Sequence, residues 1–550
     1  MQRFFRMLSP NIKAIRNLYI FALMSGLVSL SLPLGIQAII NLIQGGQISV
    51  SWIVLVAVVL VGYLFNGGLQ IIQLRITEAL QRDVFVRSAL EFTYRIPRIK
   101  LEALHGKYAP ELMNRFFDTI TIQKGMSKVL LEFATSGVQI LFGLILLSFY
   151  HPFFIVFSFI FVFLTFVLAR SIFVAGLKSS LKESKKKYEV AFWIEEVART
   201  NITFRLACAS ALPTRKTDDL VSDYLDARDK HFNILIRHYY FYIALKILIA
   251  ASFLILGGIL VFNQQMNIGQ FVAAEIIVLL LISSSEKLFL TMETVYDLLT
   301  SIEKISQVTD LPLEETKPPL VNVSNESGGM SVEAANVKFR YPDSVSDTLS
   351  DVSFHLQSGE KAVLTGQNGA GKSTLTKILA LFYETGSGAL LYNGIPINNY
   401  SVNQLRQLIS ECIAEDRIFN GSVIDNITLG KPYEQAEIME VLKTTCLDRF
   451  ISSLPEGFFT QIGPQGIRLP ASVNQKLILA RNLFRKPKFL IIEDFFRNLV
   501  PEEKKQIMHE IFRKENPQTV LFITTDPEII AMAGVRLHME SGKITQTQTS

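Results

Sequence analysis

Cysteine is scarce in this chain: three in 550 residues, Cys208, Cys412 and Cys446, too widely separated for metal or redox spacing. That excludes a disulfide framework or a zinc module and leaves the thiols as small apolar side chains suited to a reducing compartment. Charge is also scarce, at 19% of residues against 49% hydrophobic and a mean hydropathy of +0.32. A soluble chain carries about 25% charged residues, so continuous apolar spans are expected. Lysine and arginine are missing from three connections between such spans, Gln44–Ser51, His151–Pro152 and Asn263–Asn267. Net charge is a modest +5, and its distribution says more than its size.

The spans read as Leu18–Ile43, Trp52–Leu74, Val129–Tyr150, Phe153–Ala175, Tyr239–Phe262 and Ile268–Leu290, all in the first half. The first is longer than the ~7–15 apolar residues of a signal-peptide core and lacks a small-residue cleavage site, so it reads as a retained span. Basic residues crowd the other connections, including Arg82, Arg87, Arg95, Arg98 and Lys100 in one and Lys185-Lys186-Lys187 in the next. By the positive-inside rule both termini then lie in the cytoplasm. The triple-lysine run reads as a solvated face near anionic lipid, with no nucleic-acid role. Residues 75–128 and 177–237 lack Gly/Pro clusters and read as helices leaving the membrane and returning. Each is interrupted near its middle, at Arg95–Lys107 with Pro97 and Gly106, and at Ala207–Lys216 with Pro213, where a short transverse helix is expected. Lys246 and Glu275 are the ionisable residues nearest mid-membrane and are expected to face a cavity or a partner.

Past residue 310 the composition turns to Glu, Pro, Asn, Ser and Gly, as in a linker. Strands are expected at Val332–Phe339, Lys361–Leu364, Phe489–Ile492 and Val520–Ile523, alternating with helical stretches as in an α/β core. Gly366-Gln367-Asn368-Gly369-Ala370-Gly371-Lys372-Ser373-Thr374 follows one of these strands and opens an amphipathic run. The spacing G-x-x-x-x-G-K-[ST] between strand and helix lets backbone N–H groups wrap phosphate oxygens, because glycine tolerates the dihedrals and the close approach. Lys372 would reach the β- and γ-phosphates and Ser373 would offer its hydroxyl to Mg²⁺, so ATP with Mg²⁺ is the expected ligand. The helix start adds its positive dipole end.

Six spans followed by one such domain resemble the ATP-binding cassette exporters in their half-transporter form. Tyr341 in Val337-Lys338-Phe339-Arg340-Tyr341 stands where the family stacks an aromatic ring on adenine. Leu454-Pro455-Glu456-Gly457, Ile462-Gly463-Pro464-Gln465-Gly466 and Leu479-Ala480-Arg481-Asn482-Leu483 match segments flanking the family's signature. Leu32-Pro33-Leu34 and His105-Gly106 are most similar to the type I secretion and bacteriocin exporters. The resemblance implies an all-α transmembrane domain over 1–310, a linker over 311–329 and an α/β P-loop nucleotide-binding domain over 330–550. It also implies a cytoplasmic (inner) membrane location, a second half-transporter as partner and an accessory membrane-fusion adaptor.

Departures from the family pattern concern hydrolysis. Leu469-Pro470-Ala471-Ser472-Val473 replaces the signature LSGGQ, so Pro470 offers no hydroxyl or N–H to the opposite nucleotide. The carboxylate pair is Glu493-Asp494 where the family has Asp then Glu. Glu493 still suits the metal, together with Ser373, but Asp494 is a methylene shorter than the expected base, and an error near ~1 Å costs about 10²-fold in rate. Glu415 aligns with a glutamine, Thr525 with a histidine, and Arg497-Asn498-Leu499-Val500 with the family's SALD. The expected function is therefore an export half-transporter that binds ATP, hydrolyses it poorly and relies on a partner. The alternative is a non-transporting ATP-binding subunit that regulates or assembles a membrane complex.

Overall fold

The computed structural model describes residues 2–44, 50–207, 210–315, 318–321, 328–413, 416–463, 466 and 469–549. The chain divides into two compact units, one of Met1–Arg98 with Lys107–Leu311 and one of Ile99–Gly106 with Pro312–Ser550.

The first unit is built on six long helices: α1 (Ile12–Gln44), α2 (Val50–Arg95), α3 (Asp118–Ser148), α4 (Phe153–Arg199), α5 (Leu212–Phe262) and α6 (Ile268–Thr309). All six are long and apolar enough to cross a membrane. The longest, of 51 residues, reaches about 75 Å at ~1.5 Å per residue, more than twice a hydrocarbon core of ~30 Å. Each polar continuation therefore extends the same helix that carries an apolar span. Pro33 lies inside α1, a position that neighbouring helices make tolerable in a membrane bundle. α6 starts at a capping box in which Asn267 and Gln270 exchange side-chain and backbone hydrogen bonds. Phe154, Phe161, Phe253, Ala274, Ile277 and Leu281 form a buried core between α4, α5 and α6, whereas Val54, Val58, Leu60, Val61 and Leu64 leave an exposed apolar face on α2. Lys246 does find a partner, Glu286 at 3.4 Å; Glu275 is half-buried.

The first interruption lies where Pro97 and Gly106 place it, as a 3₁₀ turn at Ile96–Arg98 and a short helix at Leu101–Leu104. The second differs from expectation. Its short helix is Asn201–Leu206, and Pro213 sits in the first turn of α5, where a missing N–H costs nothing. Cys412 is fully buried and Cys446 half-buried, while Cys208 lies outside the described residues.

The second unit holds strands β1 (Val332–Phe339), β2 (Leu349–Leu356), β3 (Lys361–Gly366), β4 (Ser387–Tyr392), β5 (Ile395–Pro396), β6 (Ile409–Ile413), β7 (Gly421–Ser422), β8 (Gln461–Ile462), β9 (Phe489–Glu493), β10 (Thr519–Ile523), β11 (Val535–Glu540) and β12 (Lys543–Thr549). Ten of them form one mixed sheet in the order β5-β4-β1-β2-β12-β11-β3-β10-β9-β6. From β11 to β6 the neighbours are parallel, and β1, β2, β4 and β5 are antiparallel. Strands β3, β9 and β10 are buried on both faces, as parallel strands covered by helices must be. Ala362, Leu364, Leu521, Ile523 and Ile491 face one apolar cluster; Val363, Val520, Phe522, Leu490 and Ile492 face the other. The carboxyl ends of β6, β9, β10 and β3 thus lie side by side, and open α/β sheets bind ligands at such edges.

Candidate nucleotide-binding site

The phosphate loop leaves the carboxyl end of β3 and enters the helix Lys372–Leu379. Glycine is required at two of its positions. Gly366 has φ +148°, and a Cβ there would stand 2.3 Å from the Met539 carbonyl oxygen; at Gly371, φ is +104° and the Cβ would stand 2.8 Å from Leu349 Cδ2. Ala370 is buried, its carbonyl accepting from the Gly542 N–H at 3.0 Å, whereas Gln367, Asn368 and Gly369 are exposed. Lys372 Nζ donates to the carbonyls of Gly366 and Gln367, both at 2.8 Å, which holds the ammonium over the loop.

Glu493 ends β9 opposite Ile413 of β6 and Ile523 of β10. Its carboxylate accepts from Ser373 Oγ, and from Thr376 Oγ1 at 3.4 Å. The two expected metal ligands are therefore in contact, and a hydroxyl beside a carboxylate is the hard-oxygen donor set that Mg²⁺ takes. Asp494 points its chemistry elsewhere. It adopts the left-handed conformation, φ 44°, with its N–H on the Ile523 carbonyl at 2.9 Å. Its carboxylate pairs with Arg497 at 3.0 Å. Phe495 and Phe496 follow as buried rings, so the segment after the carboxylates is anchored as a 3₁₀ turn.

Glu411 on β6 joined the site without a motif to announce it. Burial pushes its carboxyl up to about 6, against a hydrogen bond from Thr376 that lowers it, and the Glu493 charge raises it further. The one signal in sequence is an acidic residue within the apolar run Ile409–Ile413.

Tyr341 is half-buried. Its hydroxyl lies 3.1 Å from Thr374 Oγ1, so the ring stands beside the helix that opens at the phosphate loop. Phe339 and Tyr383 meet that ring edge to face, at centroid distances of 5.0 and 5.4 Å. Thr525 follows β10 and is exposed, and Asp526 beside it caps the helix Pro527–Met532 and pairs with Lys504. Pro470 is the N-cap of the helix Ala471–Phe484 and makes no side-chain cap; Val473 is buried and Ala471 exposed. Arg481 on that helix ties it to the Asn426 carbonyl at 2.8 Å and to Asp416 at 3.3 Å. Glu415 lies outside the described residues. Gly366–Thr374, Glu493 and Tyr341 are thus brought together, with Asp494 adjacent and turned onto Arg497.

The family described as ABC transporter matches residues 349–496. The chain is 28% identical over 295 residues to the putative multidrug export ATP-binding/permease protein YgaD of Bacillus subtilis, covering 53% of this chain and 50% of that one. It is 29% identical over 295 residues to the alpha-hemolysin translocation ATP-binding protein HlyB of Escherichia coli O157:H7, covering 54% and 41%. The chain spans about half the length, or less, of the curated relatives it matches. A solved bacterial Atm1-family ABC exporter with ATP bound superposes with a TM-score of 0.86 at 18% identity, over 98% of this chain and 95% of that one. Residues 349–496 thus carry an ABC transporter domain, and six long apolar helices joined to a mixed-sheet unit with an assembled phosphate loop give the chain the fold of that ABC exporter.

Proposed function

We propose that this chain is one half of an ATP-driven exporter of the cytoplasmic (inner) membrane, with both termini and the nucleotide-binding unit in the cytoplasm. Gly366–Thr374 and Tyr341 hold ATP, Ser373 and Glu493 hold Mg²⁺, and hydrolysis by this chain is weak. A single division within the site carries the reading: Lys372, Ser373 and Glu493 gather at the loop, whereas the Asp494 carboxylate is turned onto Arg497. A carboxylate held on another side chain is poorly placed to take a proton from an attacking water. A different half-transporter is the favoured partner, because a homodimer would present Pro470 to both nucleotides. The helix Asn201–Leu206 supports a partner surface, since Ile202 and Leu206 are 69% and 79% exposed at the tip between α4 and α5.

The purified chain in nanodiscs is expected to bind Mg·ATP in a calorimeter. Lys372→Ala should weaken that binding about tenfold or more, the worth of a charge-assisted phosphate contact. Phosphate release by the chain alone should stay below roughly 1 s⁻¹, the low end of ordinary enzymes, and rise in the presence of a co-purifying half-transporter. Equal ATP affinity in the two chains, or turnover above that rate that Lys372→Ala abolishes, would overturn the reading.

A further inference from the structure

The turn Ile99–Gly106 packs within the second unit although it lies between α2 and α3 in the chain. Ile99 makes a backbone bridge with Leu313, and the Lys100 N–H donates to the Pro312 carbonyl at 3.0 Å. Lys100 Nζ pairs with Glu384 at 3.0 Å, and Leu101 packs against the apolar core beneath β1. These contacts deliver His105 to Tyr341. The two rings lie 4.9 Å apart and 14° from parallel, and Gly106, at φ +69°, turns the chain away immediately afterwards. Nε2 of His105 is 3.9 Å from Asp343.

Among the described residues His105 is the one ring stacked parallel on Tyr341; Phe339 and Tyr383 meet it near 90°. A planar heteroaromatic lying parallel on a tyrosine at this separation is the arrangement a stacked purine adopts. The hydroxyl of Tyr341 is anchored beside the phosphate-loop helix through Thr374. A nucleotide whose phosphates occupy Gly366–Thr374 therefore carries its base to this ring. We propose that His105 is a displaceable stand-in for the adenine base: it covers the Tyr341 face when the site is empty, and ATP binding expels it and loosens the Ile99–Gly106 turn. The inference rests on the reading of Tyr341 as the adenine platform, and goes beyond it by giving a residue of the α2–α3 turn a competitive role at the base. Base recognition is thereby linked to the one segment of this unit that is flanked on both sides by membrane-unit helices.

Inorganic tripolyphosphate separates the base from the phosphates, because it can occupy the loop but cannot compete with His105. Calorimetry on the full chain in nanodiscs would compare ATP and tripolyphosphate for the wild type, His105→Ala, His105→Phe and Lys372→Ala. His105→Ala should bind ATP about two- to tenfold more tightly, the worth of one aromatic stack, with tripolyphosphate unchanged. His105→Phe retains a flat ring and should return ATP affinity toward the wild type. Hydrogen exchange in residues 100–106 of the wild type should rise with ATP and stay unchanged with tripolyphosphate. Unchanged or weaker ATP binding by His105→Ala, while tripolyphosphate binds and Lys372→Ala loses it, overturns this proposal and leaves the nucleotide reading standing. Failure of the wild type to bind either probe overturns both.

Discussion

Glu411 has its carboxyl pushed up to about 6 by burial, with Glu493 adding to the effect. The folded value lies above the unfolded one near 4.5, so the native state holds this proton more tightly than the unfolded chain. Stability then falls as pH rises from about 4.5 to about 6, and the whole penalty is present above that. Glu411→Gln should keep an acceptor for Thr376 while removing the charge. The expected gain is about 2 kcal/mol at pH 7, with a flatter dependence between about pH 4.5 and 6.5, measured by thermal unfolding of the nucleotide-binding unit across pH. An unchanged slope would mean that Glu411 ionises there at no cost. Lys361, the first residue of β3, is the basic counterpart, held down to about 8 by burial while its ammonium donates to the Asn516 carbonyl at 3.0 Å.

At the scale of elements, the helix Ala471–Phe484 starts without a side-chain cap because Pro470 has nothing to offer its first N–H groups. Pro470→Ser supplies a hydroxyl acceptor at the N-cap and should stabilise the unit by about 1 kcal/mol, seen as a higher melting temperature. Phosphate release should not follow, since Asp494 remains on Arg497 and Thr525 carries no imidazole. A large rise in turnover from this one change would place the defect in the signature segment alone.

Elements also decide what could be read in advance. The phosphate loop was legible because it is contiguous: strand, glycines, lysine and helix follow one another within a dozen or so positions, and each residue type has its own physical reason to be there. Strands β3, β9 and β10 were legible as unbroken apolar runs. β2, β4, β6, β11 and β12 were not, because half-exposed or short strands such as Ser387–Tyr392 carry a weaker alternation. Glu411 and His105 stayed hidden for a different reason. Glu411 has no motif and His105 carried only a family likeness that says nothing of the base, and each reaches the site only when distant stretches pair, β6 beside β9 in one case and Ile99 with Leu313 in the other.

For the whole molecule, the proposed orientation rests on the basic residues at 75–128 and 177–237 and their absence from the three short connections. Single cysteines at Asn263 or at Gln47 should react with an impermeant maleimide added outside intact cells, and cysteines at Lys100 or Lys186 should react after the membrane is opened. The reverse pattern would invert the chain or change the number of crossings.

The bridge between Ile99 and Leu313 also bears on where the nucleotide-binding unit can be cut. Its boundary in space is discontinuous in sequence, so a fragment beginning at residue 330 leaves behind a piece of its own body. Such a fragment would bare the seat of Leu101 and the face of Tyr341 that His105 covers, and should melt lower and aggregate sooner than the unit does within the full chain. A peptide of residues 99–106 added to the fragment should restore part of the loss. In a chain arranged this way, the C-terminal half is finished only after the N-terminal half has lent it a turn. Exchanging such halves between related transporters would then succeed when that turn travels with the half it completes.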